Sequence, residues 1–386
     1  MALYMTTPLA AIIFIRPFIS SLAFPSVNYI YSLLLLNFLL VYIMLKGISF
    51  KQNGPKVAIL LLFLALSISL IFANNKIACA WELHKYVSGV LLLAVCSSLT
   101  YQNRNKVFLC ITAAAILISL MAIYQYFFGF RHLINYINKA KIINAFTLDY
   151  VNQKRIFFPF ITPNTLGGYL AMIIPLALTY KNKVWLALPL FCALFLTKSI
   201  GAILSLFLAL SICSFLQDKL KKRNILLLAG LLITCGLIFL IRAHTQKQYL
   251  QPLFSTMMRL NYWQDTLGII IKHPLTGIGL GNFNLTYSRY SHNSYLQIWA
   301  EAGLPAIIAF LWLVAAILRS GLKTLKEPCD KAKTCALICA SCVFLIHNLI
   351  DFSFFLPEVN LVWWAIMGLL LNMTNNTYLP PLSIKN

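Results

Sequence analysis

From Arg259 to Pro305 the sequence reads RLNYWQDTLGIIIKHPLTGIGLGNFNLTYSRYSHNSYLQIWAEAGLP. This polar run collects Arg259, Lys272, Arg289, His273, His292, Asp265 and Glu301 among Tyr and Trp residues, between long apolar segments. An imidazole that is neutral near pH 7 can take a proton from an attacking hydroxyl. Arg grips phosphate through a planar fork, and Lys acts on it as a point charge. Aromatic rings pack on sugar faces. Together these residue types fit transfer of a group from a lipid-linked diphosphate to a hydroxyl. On residue types alone, a passive transporter with a basic vestibule fits equally well.

Other chemistries lack their residues. Gly277-Ile278-Gly279-Leu280-Gly281 does not follow a strand in a βαβ unit, so it reads as a tight turn rather than a nucleotide loop. There is no HExxH, no GxSxG, no DxD and no Cys/His cluster with metal-ligand spacing, so neither a metal nor another cofactor is expected. The nine acids are scattered along the sequence, which leaves a paired-carboxylate glycosidase unsupported. Most of the ten Cys lie inside apolar runs and read as small core residues.

The elements that position these residues are membrane helices. The chain is 60% apolar and 10% charged, against roughly 25% charged in soluble proteins. Its apolar runs recur at bilayer-spanning length without the period-two alternation of a barrel. The expected fold is all-α, a polytopic helical membrane protein with about 12 transmembrane helices. The expected spans are 8–24, 28–45, 57–74, 86–100, 107–128, 163–180, 183–197, 199–216, 225–242, 303–319, 333–350 and 359–373. Residues 1–386 form a single transmembrane domain with two long loops, 129–162 and 243–302. The net charge of +22 reflects Lys and Arg in short loops that set orientation, and no nucleic acid is implied. Both termini are then cytoplasmic, and the polar run lies in the longest loop on the outer side, where nucleotides are absent.

Within the 129–162 loop, Arg131, Lys139, Lys141, Lys154 and Arg155 accompany aromatics, and its first half reads as an interfacial amphipathic helix. In the 243–302 loop, Leu253, Met257, Leu260, Trp263, Leu267 and Ile270 recur at helical spacing, with Arg259 and Asp265 off that stripe and Pro274 as the stop. Ser291 is the expected N-cap of the next helix, with His292 in its first turn. Lys198 sits between two spans with almost no loop, at membrane depth, where an ionisable group is a functional candidate. His347 and Asp351 are four apart on one helix face and read as a structural pair.

Five segments resemble the O-antigen ligase / O-antigen polymerase family of bacterial membrane proteins: RIFFPFITPNTLGGYLAMIIPLAL (155–178), TKSIGAILSLFLAL (197–210), RLNYWQDTLGIIIKHPLTGIGLGNF (259–283), HNSYLQIWAEAGLPAIIAFLWL (292–313) and HNLIDFSFFLPEVNLVWWAIMGLL (347–370). The resemblance implies a bacterial inner-membrane protein with a large periplasmic loop between helices 9 and 10. It also implies glycan transfer from undecaprenyl diphosphate to a sugar hydroxyl without nucleotide or required metal. The family's functional His and Arg map to His292 and Arg259. Where the family often has Ser-Arg, this chain reads Thr197-Lys198-Ser199, so Lys198 would stand in without bidentate binding.

The resulting expectation is an O-antigen ligase in lipopolysaccharide assembly, with lipid A–core as acceptor and a periplasmic active site. The diphosphate lies against Arg259 and Lys198, assisted by Arg155 or Arg289, and His292 acts as base. Asn293, Tyr287, Tyr295 and Trp299 contact sugar or shape the cleft. A polymerase and a protein O-oligosaccharyltransferase are alternatives within the family. A flippase, which would need polar residues deep in several spans and internal repeats, is the alternative outside it.

Overall fold

The computed structural model describes residues 2–48, 52–140, 150–216, 222–245, 254–325 and 330–375. Regular structure among them is helical apart from one isolated bridge between Leu285 and Ser288. The α-helices are α1 (Ala2–Ile15), α2 (Pro25–Lys46), α3 (Asn53–Phe72), α4 (Lys76–Ser97), α5 (Tyr101–Tyr124), α6 (Phe130–Ala140), α7 (Pro163–Ala177), α8 (Leu188–Thr197), α9 (Ile200–Leu216), α10 (Lys222–Thr245), α11 (Phe254–Lys272), α12 (Ser294–Thr324), α13 (Lys331–His347) and α14 (Pro357–Asn375). Each expected span overlaps a helix. Of the helices, α2, α3, α4, the continuous α5–α6 rod and α12 are long and apolar enough to cross a membrane.

The bundle is organised around two helices buried almost all round, α7 and α14. A helix apolar on every face belongs inside. Glycines let the neighbours approach: Gly89 of α4 lies under the Trp364 indole, and Gly321 of α12 lies against Leu370. Such small-residue contacts take the place of a hydrophobic drive, which lipid does not provide between helices. Peripheral faces stay apolar and exposed, as at Leu34, Met44 and Ile71, which suits lipid contact.

Polar groups collect at the two ends. At one end the Gln52 amide donates to Ser320 Oγ (2.6 Å) and Thr374 Oγ1 (2.9 Å), and Asn372 Nδ2 donates to the Leu99 carbonyl (2.6 Å). At the other end Arg16 pairs with Glu358 (3.3 Å) and Lys85 with Glu82 (2.6 Å). The 259–305 run lies at this second end, since Asn282 Oδ1 accepts from the Asn75 amide at the start of α4 (2.9 Å).

The run is held by a break in α12. Pro305 has no N–H for the Glu301 carbonyl, and Gly303 (φ 82°, ψ 172°) leaves the helical region. The freed carbonyls are satisfied from the glycine run: Ile278 N–H donates to Ala300 O, and Gly279 N–H to Glu301 O, both at 2.9 Å. Ser69 Oγ of α3 adds a bond to Glu301 O (2.8 Å), and Leu304 N–H turns to Pro274 O (2.9 Å). Gly277, Gly279 and Gly281 all have positive φ, so the expected tight turn is present.

Two expectations about the loops need correction or trimming. The α11 helix forms and stops before Pro274, but its packed face carries Met258, Tyr262, Thr266 and Ile270. Of the expected stripe, Met257, Leu260 and Leu267 are exposed while Ile270 is buried and Trp263 half-buried, and Arg259 turns partly inward. A stripe on a helix beside a membrane has two apolar surroundings to choose from, and periodicity does not say which. In the first loop α6 is the expected amphipathic helix, with Phe130 and Ile137 buried and Arg131 exposed. Lys141 and Leu253 lie outside the described residues.

Gly303→Ala tests the α12 break. A Cβ there would overlap the Leu275 carbonyl at a left-handed φ, for a loss of about 1–3 kcal/mol or more. The expected result is a clear drop in melting temperature of the purified protein. Gly236→Ala, where nothing lies near the added methyl, is expected to be neutral or slightly stabilising.

Candidate functional site

His292 precedes α12 in a left-handed conformation (φ 54°). Ser291 was the expected cap, but Asn293 caps α12: its Oδ1 accepts from Tyr295 N–H (3.0 Å) and Leu296 N–H (3.1 Å). Ser291 supports the cap from behind, donating through Oγ to Asn293 O (2.6 Å) and accepting from Asn293 N–H (3.1 Å). His292 therefore projects from the turn before the helix and not from its first turn. Strain of this kind in a non-glycine residue concentrates at functional sites.

The imidazole sits between two elements. Tyr262 of α11 stacks on it at 5.4 Å and 18°, and Phe352, just beyond α13, meets it edge-on at 4.8 Å and 85°. Its Nδ1 is buried without a hydrogen-bond partner, as are Arg259 Nε and Trp263 Nε1 on α11. Burial pulls the His292 pKa down to about 4; Asp351 opposes this and Arg259 adds to it. Burial also lowers the Arg259 pKa, against Asp351, Tyr150 and Tyr262. Arg259 and His292, on separate elements, thus both feel the charge of one carboxylate.

Asp351 is the residue that sequence reasoning underrated. Its Oδ2 lies 3.4 Å from His347 Nδ1, both buried, and also accepts from Ser353 Oγ, while its Oδ1 is buried without a partner. Ser294, in the first turn of α12, donates through Oγ to Asn348 Oδ1 (2.7 Å) and to Asp351 O (3.1 Å). The start of α12 and the end of α13 are therefore bolted together beneath His292. The four-residue spacing marks His347 and Asp351 as a pair; only the fold adds His292 and Arg259 to it.

A second cationic group lies where α7 begins. Arg155 Nε donates to Thr197 O (3.0 Å), its Nη2 donates to Asn164 Oδ1 (3.0 Å), and its guanidinium lies 5.4 Å from the centre of the Tyr150 ring. Ser199 Oγ donates to the same Asn164 oxygen (3.1 Å). Lys198 ends α8 in a left-handed conformation (φ 52°) and donates to Gln153 O (2.6 Å). The two groups connect on both flanks. Tyr150 faces Arg155 on one side and interacts electrostatically with Arg259 on the other. In α7, Gly167 packs against Ser199 and Gly168 against the His347 ring.

The other expected contacts go elsewhere. Tyr295 donates to Leu345 O (2.8 Å) and Trp299 to Pro274 O (3.0 Å), so both hold the loop in place. Tyr287 is 77% exposed. Arg289 lies apart from the Arg259 cluster, in the wall of a different cavity with Lys85 and Tyr290. Among the described residues no three His, Cys, Asp or Glu side chains converge as a metal site.

Residues 184–311 match the family model for O-antigen ligase. The match supports membership of the O-antigen ligase family and, with the apolar helices, a multi-pass membrane protein. O-antigen ligase family membership implies a glycan-transferring enzyme that uses lipid-linked glycan substrates. The matched segment runs from the turn before α8 to just past the middle of α12, and so includes Lys198, Arg259, Arg289 and His292. Arg155, His347 and Asp351 lie outside the O-antigen ligase match and join its site only through the fold. No curated protein matches the chain.

The environment of His292 makes a titration prediction. Its folded pKa is below the unfolded value, so the imidazole stays neutral from about 4 upward, and the stability tied to it is lost as pH falls from the ordinary histidine range toward about 4. In 15N-histidine spectra of the purified protein, the His292 ring is expected to remain neutral at pH 5. Asp351→Asn removes the charge that favours imidazolium and is expected to lower the titration further.

Proposed function

We propose that this chain is a metal-independent inverting glycosyltransferase with about twelve membrane spans. It moves O-antigen polysaccharide from undecaprenyl diphosphate to a sugar hydroxyl of lipid A–core at the periplasmic face of the bacterial inner membrane, both termini being cytoplasmic. The observation that carries this reading is the convergence of His292 and Arg259 on Asp351, with a buried, unpartnered nitrogen on each of the two bases. Buried nitrogens without partners are rare in native proteins and fit groups kept for substrate.

In this mechanism the diphosphate lies between Arg259 and the Arg155–Lys198 group. An acceptor hydroxyl oxygen attacks the anomeric carbon from the face opposite the diphosphate, and the bond from that carbon to the diphosphate oxygen breaks. His292 takes the hydroxyl proton. A pKa of about 4 makes free His292 a weak base, below the optimum near working pH. The diphosphate's negative charge acts in the same direction as Asp351 and raises the imidazole pKa once donor is bound. Arg259, Lys198 and Arg155 hold the charge that develops on the departing undecaprenyl diphosphate. Arg155 and Lys198 spend part of their hydrogen-bonding capacity on Thr197, Asn164 and Gln153, which fixes their heads in place.

An apolar cavity of about 570 Å³ supports the same donor. Its lining includes Ile123, Phe127, Phe195, Leu196 and Ile203. Leu196 O accepts from Ile156 N–H (3.3 Å), so the cavity adjoins Arg155 in the chain. It suits the isoprene units next to the diphosphate. A flippase reading finds no comparable support, because the polar groups gather at the bundle ends.

The deciding experiment is transfer in cells deleted for the chain and complemented with variants at matched protein level. His292→Ala and Arg259→Ala are each expected to lower transfer by roughly 100-fold or more. Asp351→Asn is expected to lower it about tenfold. Wild-type transfer in both alanine variants would overturn the site. On lipopolysaccharide gels, loss of the whole ladder on core identifies the ligase, and a single-repeat band a polymerase. An unchanged ladder with unglycosylated protein identifies the third acceptor class.

A further inference from the structure

A second cavity, of about 550 Å³, opens at the same end of the bundle, with Arg289, Tyr290 and Phe355 in its wall. Tyr290, in its wall, stacks on Phe352 at 4.3 Å and 9°, and the edge contact between Phe352 and His292 is 4.8 Å. Two aromatic rings, Tyr290 and Phe352, thus link the wall of this cavity to the imidazole.

The lining combines three kinds of group. Arg289 and Lys85 supply positive charge. Lys85 is paired with Glu82 at 2.6 Å, whereas Arg289 is exposed and has no carboxylate partner among the described residues. The other nearby acids are already engaged. Glu358 pairs with Arg16 and accepts from Ser21 N–H, and Glu301 accepts from Gly281 N–H and the Gln297 amide. Arg289 is therefore the cation in this wall without a carboxylate partner among the described residues. Tyr29 and Trp81 form a stacked aromatic wall (4.6 Å, 26°) with Tyr29 about half exposed. Asn28 accepts from Arg16 through Oδ1, which leaves its NH₂ as a donor.

The edge of the cavity faces lipid. Phe24, Val27 and Ile30, around the first turn of α2, are each more than half exposed and apolar. A ligand that satisfies all of these features has sugar faces for the aromatic wall, an anionic substituent for Arg289 and Lys85, and acyl chains beside α2. We propose that this cavity binds the anionic sugar head of the acceptor glycolipid, with its phosphate or carboxylate against Arg289 and Lys85. This rests on the transfer reading above. It assigns Arg289 to the acceptor rather than to the donor diphosphate.

The test is binding without donor. Full-length protein in nanodiscs is titrated with lipid A–core glycolipid, native and enzymatically dephosphorylated, and apparent affinity is read by thermophoresis. Wild type is expected to bind the phosphorylated form about tenfold or more tightly. Arg289→Gln is expected to abolish that preference, and Ser26→Trp, which fills the cavity from an exposed position, to block both ligands. His292→Ala and Arg259→Ala are expected to keep the wild-type preference. The proposal is overturned if Arg289→Gln and Ser26→Trp bind as wild type does, if the wild type binds neither form, or if only the His292 and Arg259 variants lose binding. Because no donor is present, wild-type transfer by His292→Ala would sink the reaction while leaving this cavity standing.

Discussion

A buried carboxylate needs partners, and the partners of Asp351 draw together three separate segments of this chain. Its side chain holds His347 and Ser353, its carbonyl takes the Ser294 hydroxyl, and its charge acts on Arg259 and His292. Burying such a charge alone would be far more costly than any single hydrogen bond returns, so the surrounding elements must arrive in register. Removing Asp351 from this arrangement would take away the charge that favours the ionised forms of Arg259 and His292. The orphan Oδ1 shows that the carboxylate keeps one acceptor in reserve.

The scaffold that allows this is a deliberate break in α12. Pro305 and Gly303 free two carbonyls, and the glycine run supplies the N–H groups that satisfy them. The same run contacts the start of α4 through Gly281 and Asn282. One loop therefore ties α3, α4, α11 and α12 together, and it leaves His292 at the tip of a strained turn rather than inside a regular helix. Rigid backing of this kind suits a base that must meet a hydroxyl within a few tenths of an ångström.

Phe352 has a comparable role between the His292 turn and the cavity at Arg289. Phe352 makes ring contacts with both His292 and Tyr290, so one aromatic side chain links the His292 turn to the wall of the Arg289 cavity.

Composition and hydropathy by themselves determined an all-helical membrane chain, because a bilayer-length apolar run without alternation has few other ways to satisfy its backbone. The helix stop at Pro274 and the turn at 277–281 were legible for local reasons, proline chemistry and glycine conformation, and a dense motif singled out Arg259 and His292 as candidates. The inward face of α11 was not legible, since lipid and protein interior are equally apolar and periodicity cannot rank them. Nor was the N-cap, because Ser291 and Asn293 both carry suitable oxygens and only the path of the chain selects one. The gathering of Asp351, His347, Arg155 and Lys198 around one site, and the separation of Arg289 from it, joined residues up to 196 positions apart, from Arg155 to Asp351. No local pattern encodes such contacts. They exist because α7 and α14 fill the centre of the bundle and fix which helix ends meet.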